Sequence, residues 1–190
     1  FAYYNLSART ASVLYLNLDN GIDYKDTFVE RFTQLGGIIL GTESYENWES
    51  DFRGHLTKIK EQNPDVIFIA GQINHGLAIK QARELGMNQQ IIGPTTMESP
   101  EMLAHAGSAA EGVIYSAVKF DTNDPKIVAF QEKYKLRYNK TLSLRTTAIT
   151  YDAVMIIAEQ LRKCGEDVEC IKNGLYATKN YPGISGLTSF

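Results

Sequence analysis

Residues 65–71 read DVIFIAG. The stretch from Val66 to Ala70 is apolar without a break, the mark of a strand covered by helices on both faces. Working outward, the chain alternates around it. Residues 11–17 (ASVLYLN) read as a strand. Residues 23–35 (DYKDTFVERFTQL) read as a helix, because Tyr24, Phe28 and Phe32 recur every four residues on one face. Gly36–Gly37 supplies its stop. A second strand is predicted over 37–44. A helix over 51–61 follows, capped by Ser50 or Asp51, with Leu56 and Ile59 inward. After the 65–71 strand come a helix over 75–86, a short strand over 90–94, a helix beginning near Ser99 with Pro100 in its first position, and a fifth strand over 112–118. Strand–helix alternation of this kind requires a parallel sheet with helices on both faces.

The second half breaks the alternation. Residues 124–138, 146–162 and 167–177 all carry helical periodicity. Their inward sets are Ile127, Phe130 and Tyr134; Tyr151, Val154, Met155, Ala158 and Leu161; and Val168, Ile171 and Leu175. The chain closes on GISGLTSF (183–190), which reads as a strand without a partner segment after it. Three apolar-faced helices need a surface to cover. They are expected to belong to a second lobe whose sheet is absent from this chain, with packing on the sheet of the first half as the alternative. The isolated chain is accordingly expected to dimerise, exchange elements or disorder through these helices.

Composition bounds the function. The chain has 190 residues, 44% of them hydrophobic and 22% charged, and a formal charge of −3. Its 15 glycines and 5 prolines are no excess, so disordered and collagen-like classes are excluded. No apolar run approaches the roughly 18 residues that span a bilayer. A basic face for nucleic acid or anionic membrane is not expected from this charge balance. The chain opens at Phe1 with no initiator Met and no leader, so a processed or excised segment is expected.

Catalytic patterns are sparse. The three histidines, His55, His75 and His105, form no HExxH and no metal-ligand spacing. Glu101 and His105 lie four apart on a predicted helix and read first as a surface pair. The sequence holds no G-x-S-x-G elbow and no G-x-x-x-x-G-K-[ST] loop, and GQINHG (71–76) lacks dinucleotide spacing. No catalytic residue, metal or cofactor is expected. Cys164 and Cys170, in KCGEDVEC, join the end of one helix to the start of the next. A loop of that length can bring the Cα atoms within disulfide reach. A bridge would imply export; two free thiols in a reducing compartment are the alternative.

In open parallel sheets, ligands sit in the crevice outside the carboxyl ends of the strands. The residues following those ends are Asp19, Asn20 and Gly21; Ser44, Tyr45 and Trp48; Gln72, Asn74 and His75; and Thr95 and Thr96. Neutral hydrogen-bonding groups and aromatics suit binding a small polar molecule better than breaking one.

The chain resembles the type I periplasmic solute-binding proteins, the leucine/isoleucine/valine-binding group that feeds ABC importers. The segments that carry the resemblance are VLYLNLDNGIDYKDTFVERFTQLGG (13–37), SDFRGHLTKIKEQNPDVIFIAG (50–71), IKQARELGMNQQIIGP (79–94), SPEMLAHAGSAAEGVIYSAV (99–118), AFQEKYKLRYNK (129–140), AITYDAVMIIAEQLRKCG (148–165) and LYATKNYPGISGLTSF (175–190). No single one is diagnostic; their order and spacing are. The resemblance implies an α/β fold: residues 11–117 as the second of two Rossmann-like lobes, 118–123 as a crossover, 124–182 as helices that pack on the first lobe, and 183–190 as a crossover strand. It implies a non-enzymatic extracytoplasmic receptor, periplasmic or extracellular, with lipid anchoring an open alternative. A small polar solute and an ABC permease are the implied partners. A ligand-sensing or regulatory domain of the same fold is the alternative role, and an α/β enzyme a more distant one.

By the same resemblance the pocket positions are Asn20, Gln72 and Thr95; Asn74 and Tyr45, which follow strand ends, are taken as ligand-binding candidates beside them. Where the amino-acid binders place aromatics after the first and third strands, this chain has Asn20 and Gln72. Where they place an acid facing the ligand ammonium, it has Thr95. The expected ligand is therefore an amino-acid-like or other small polar solute, and an aliphatic amino acid fits the pattern less well.

Overall fold

The computed structural model describes residues 1–71, 74–117, 121–140 and 144–190. The chain divides into two compact units, Phe1–Val118 and Lys119–Phe190.

The first unit is a five-stranded sheet. Strands β1 (Thr10–Leu16), β2 (Ile38–Tyr45), β3 (Val66–Ala70), β4 (Gln90–Gly93) and β5 (Ile114–Tyr115) alternate with helices α1 (Asp19–Gln34), α2 (Arg53–Gln62), α3 (His75–Glu84) and α4 (Pro100–Ala106). Every pairing is parallel, and the strand order is β2-β1-β3-β4-β5. Helices cover both faces. On one, Leu14, Leu16, Ile67 and Ile69 pack with Leu56 and Ile59 of α2, Ala78, Ile79 and Ala82 of α3, and Met102 of α4. On the other, Val13, Val66, Phe68 and Ala70 pack with Phe32 and Phe28 of α1. The strand read from DVIFIAG is buried at every position.

Boundaries shift for identifiable reasons. Helix α1 starts at Asp19, four residues before its expected start, and draws Asn20 into its first turn. Gly21 makes this possible: a Cβ there would collide with the Leu16 carbonyl, so only glycine lets the helix begin against the strand end. Phe52, not Ser50 or Asp51, stands at the N-cap of α2, while Asp51 Oδ1 accepts from Arg53 N–H at 3.2 Å. At α4 the reading holds: Ser99 caps it, accepting from Met102 N–H, with Pro100 in the first position. Strand β5 is only two residues long, and Val118 of its expected span lies outside the described residues.

The second unit holds α5 (Pro125–Tyr138), α6 (Leu144–Cys164) and α7 (Val168–Tyr176), then β6 (Tyr181–Gly183) and β7 (Gly186–Thr188). Two expectations are corrected here. The terminal GISGLTSF is not a lone strand: β6 and β7 pair antiparallel, with Ile184 and Ser185 as the turn. YPG is short and contains Pro, a strand signal only at an edge, as here. The buried face of α6 is Ala148, Asp152, Ile156 and Gln160, whereas Tyr151, Val154 and Leu161 of the expected inward set are exposed. Apolar periodicity marks a stripe but not what covers it. The elements that pack on α6 are α7, whose Gly174 lies against Gln160, and the hairpin turn, whose N–H groups need an acceptor rather than a methyl group. Val154, Ile157, Leu161, Val168 and Leu136, the last 87% exposed, leave this unit with extensive apolar surface. Cys164 and Cys170 form a disulfide with Cα atoms 5.7 Å apart, joining α6 to α7.

Candidate functional site at the carboxyl edge of the sheet

In the order β2-β1-β3-β4-β5, the chain leaves β1 toward one side and enters β3 on the other. The loops after β1 and β3 therefore diverge and open a crevice at the carboxyl edge, where doubly wound sheets bind ligands. The described residues at that edge are Asn17–Asn20, Glu46–Ser50, Gly71, Asn74, His75 and Thr95–Thr96.

Side chains tie these loops together. Asn17 Nδ2 donates to Glu46 Oε1 at 2.7 Å, joining the exits of β1 and β2. Asn74 adopts a left-handed conformation (φ 62°), which Asn tolerates better than most residues. Its Nδ2 donates to Glu49 O at 2.8 Å and Asn47 O at 3.3 Å, joining the exits of β3 and β2. The Thr96 hydroxyl donates to Gly71 O, joining β4 to β3. Glu49 braces its own loop: Oε1 accepts from Glu46 N–H at 2.7 Å, and Oε2 meets His55 Nε2 at 3.1 Å. The hydrogen bond from the Glu46 N–H, helped by His55 against burial, holds the Glu49 carboxyl below its ordinary value. His55 Nδ1 meets Glu43 Oε2 at 3.2 Å, and Lys58 donates to the same oxygen at 2.8 Å. Burial would raise the Glu43 carboxyl, but these two hydrogen bonds outweigh it and bring it down. On this braced loop Trp48 stands 75% exposed.

The residues expected to contact ligand fall in different places. Asn20 is half-buried in the first turn of α1, its Oδ1 accepting from Gly21 N–H at 2.9 Å. Thr95 is exposed and opens a 3-10 turn after β4. Asn74 is at the edge, with its amide hydrogens engaged by the 47–49 backbone. Gln72 lies outside the described residues. Tyr45 does not line an open wall. It is 1% exposed in the core, edge-on to Phe52 at 5.1 Å, and burial pushes its hydroxyl pKa up. That hydroxyl lies against Gly71, where any Cβ would collide with it, so Tyr45 shapes the floor beneath the β3 exit. An aromatic ending an edge strand reads equally as core or as wall, and only packing decides. Asn17, Glu46 and Glu49 were missed. For Glu46 and Glu49 the one signal is the density of carboxylates and amides in SYENWES (44–50); Asn17 carries none beyond its place at the exit of β1.

Among the described residues no group of three or more His, Cys, Asp or Glu side chains is placed to hold a metal ion. No helix among them is long and apolar enough to cross a membrane.

A doubly wound lobe with a braced polar crevice and a separate helical unit is the pattern of one class of protein. The chain belongs to the periplasmic binding protein family, whose sequence pattern matches residues 1–190. It is 28% identical over 154 residues to the leucine-, isoleucine-, valine-, threonine- and alanine-binding protein of Pseudomonas aeruginosa, covering 80% of this chain and 41% of that protein. It is 29% identical over 116 residues to a leucine-specific-binding protein of Salmonella typhimurium, covering 60% of this chain and 31% of that one. The crystal structure of a leucine-binding protein from Thermotoga maritima superposes with a TM-score of 0.89 at 29% identity, over 100% of this chain and 55% of that one. The Streptococcus pneumoniae branched-chain amino acid transporter substrate-binding protein, solved with isoleucine, gives a TM-score of 0.79 at 28% identity, over 100% and 54%. The chain thus spans about half the length of these relatives or less. The relatives are binding proteins rather than enzymes, and the family places its members in the periplasm or outside the cell.

Proposed function

We propose that the chain is part of the extracytoplasmic solute receptor of an ABC-type importer, binding a small polar solute at the carboxyl edge of its sheet. The observation that carries this reading is the switch point between β1 and β3 in a chain of this family. In this reading residues 11–117 are the second of two lobes and 118–123 cross between them. Residues 124–182 pack on the first lobe, and 183–190 form a further crossing segment. The exposed apolar residues of α5, α6 and α7 support that assignment, because surface of this kind is normally covered. Without the first lobe, the same faces would drive dimerisation or exchange of elements.

Asn20, Gln72 and Thr95 are assigned to one wall of the cleft, with Asn74 holding the loop beside them and Tyr45 the floor. The wall is neutral. A ligand ammonium turned toward these three side chains would lose its hydration at a cost of several kcal/mol unless Asp19 or the other lobe supplied a counter-charge. The wall therefore suits a neutral or anionic group of the solute. Closure of the lobes over the solute would create the surface that the permease recognises. Titration calorimetry of the full-length protein against a metabolite panel that includes leucine tests the reading. Binding of one polar solute, weakened by Asn20→Ala and Gln72→Ala, is expected. Tight leucine binding unaffected by both changes together, or no binding to any panel member, overturns it.

A further inference from the structure

Between α3 and α4, on the side of the sheet away from α1, lies a cavity of about 320 Å³ lined by Asn74, His75, Gly76, Ser99, Glu101, Met102 and His105. The two helices approach closely here because Gly76 has no side chain: a Cβ would meet the Met102 carbonyl. His75 is 2% exposed, and neither of its ring nitrogens has a hydrogen-bond partner among the described residues. Leaving one buried polar atom unpaired costs about 1–3 kcal/mol, so a two-nitrogen orphan beside a cavity calls for an occupant. Burial, reinforced by His105, pushes the His75 pKa down to about 4, so the ring is neutral at physiological pH and presents an acceptor nitrogen.

The remaining lining is also rich in acceptors. The Asn74 amide nitrogen donates to the carbonyls of Asn47 and Glu49, which leaves its carbonyl oxygen as the group it offers. Glu101 and His105, read from the sequence first as a surface pair, are both exposed, and both border the cavity. A carboxylate, an amide oxygen and the acceptor nitrogen of the neutral His75 ring match a donating group. An anion would face Glu101, and no three ligating side chains here are placed for a metal ion.

We propose that this cavity is a binding site for a primary ammonium group on a short apolar stem, with Glu101 as its counter-charge and His75 and Asn74 as acceptors. The site is separate from the neutral wall assigned to the solute, and its test does not depend on which solute the protein carries. The donor is either a free small amine or the amino group of a solute that reaches past Asn74.

The test is titration of the full-length protein with ethylammonium chloride, followed through the His75 imidazole resonances in nitrogen-15 spectra, with sodium chloride at equal ionic strength and sodium acetate as controls. A saturable shift with ethylammonium alone is expected, weakened about tenfold in Glu101→Gln, whose exposed position leaves folding intact. Competition by an amino acid assigns the site to a solute's amino group; absence of competition assigns it to a free amine. No saturable shift, an equal shift with acetate, or an undiminished shift in Glu101→Gln overturns the proposal.

Discussion

The Asp152 carboxylate accepts two hydrogen bonds from Ser185, one from its backbone N–H at 2.7 Å and one from its hydroxyl at 2.6 Å, and a third from Ile184 N–H at 2.8 Å. One buried acid on α6 thus satisfies the whole turn of the terminal hairpin. Gly183 lies so close that a Cβ would collide with the carboxylate.

Asp152→Ala should destabilise the full-length protein by about 2–3 kcal/mol, because it orphans two half-buried backbone donors. Ser185→Ala removes only the hydroxyl bond and should cost about 1 kcal/mol. Chemical denaturation of both variants checks the ratio. Equal effects would mean that the turn is held by something other than the carboxylate.

Asp65 plays a similar part at the opposite edge of the sheet from the cleft. Its Oδ2 accepts from Arg9 N–H at 2.8 Å and Thr10 N–H at 2.9 Å, while its own N–H donates to the Thr10 hydroxyl at 3.0 Å. The backbone N–H groups of Arg9 and Thr10 hold the carboxyl below its unfolded value of 3.8. A lowered folded-state value means stability that is present above the unfolded value and lost as pH falls through the folded one. Asp65→Ala should cost about 1 kcal/mol at neutral pH and nothing at the acid end, read from unfolding midpoints between pH 7 and pH 2.

His75 acts in a higher window. Its folded value of about 4 lies below its unfolded value of 6.5. Between those values the unfolded chain takes up a proton at this position and the folded chain does not. Stability therefore falls as pH drops from about 6.5 to about 4, by on the order of 3 kcal/mol, and is level on either side. His75→Leu should flatten that segment of the stability profile. An unchanged slope would show that other groups cause it.

The Cys164–Cys170 bridge closes a short loop, with a sequence separation of 6. Thiol titration of denatured, unreduced protein should find no free cysteine from this chain. Reduction should lower stability by roughly 2–3 kcal/mol by the chain-entropy estimate. Unfolding curves with and without a reductant make the comparison.

In the cleft, each neutral hydrogen bond to solute is worth roughly 0.5–1.5 kcal/mol, so Gln72→Ala should weaken binding by up to about tenfold. Calorimetry with the cognate solute gives the number; a larger loss would mean that the change strands a buried partner.

The parallel sheet was legible in the chain because burial on both faces writes itself into local composition: Val66–Ala70 has no polar residue, and Phe28 and Phe32 keep the helical period. Ser99 and Pro100 announced α4 for the same reason, since a cap is a matter of adjacent residues. The Cys164–Cys170 reading needed only a loop length. What adjacent residues do not encode is the partner. The α6 stripe of Val154 and Leu161 is apolar, yet the side that packs within this unit carries Asp152, because a turn's unpaired N–H groups select an acceptor, and Gln160, which lies against Gly174 of α7. Tyr45 became floor rather than wall through its contact with Phe52, and Asn74 became a brace through the carbonyls of a loop some 25 residues away. His75 and Glu101 belong to different helices, and only the close approach at Gly76 puts them on one cavity. Periodicity and capping are short-range and survive in the sequence, whereas the pairing of distant polar groups is settled only when the packed chain leaves each buried donor and acceptor one place to go.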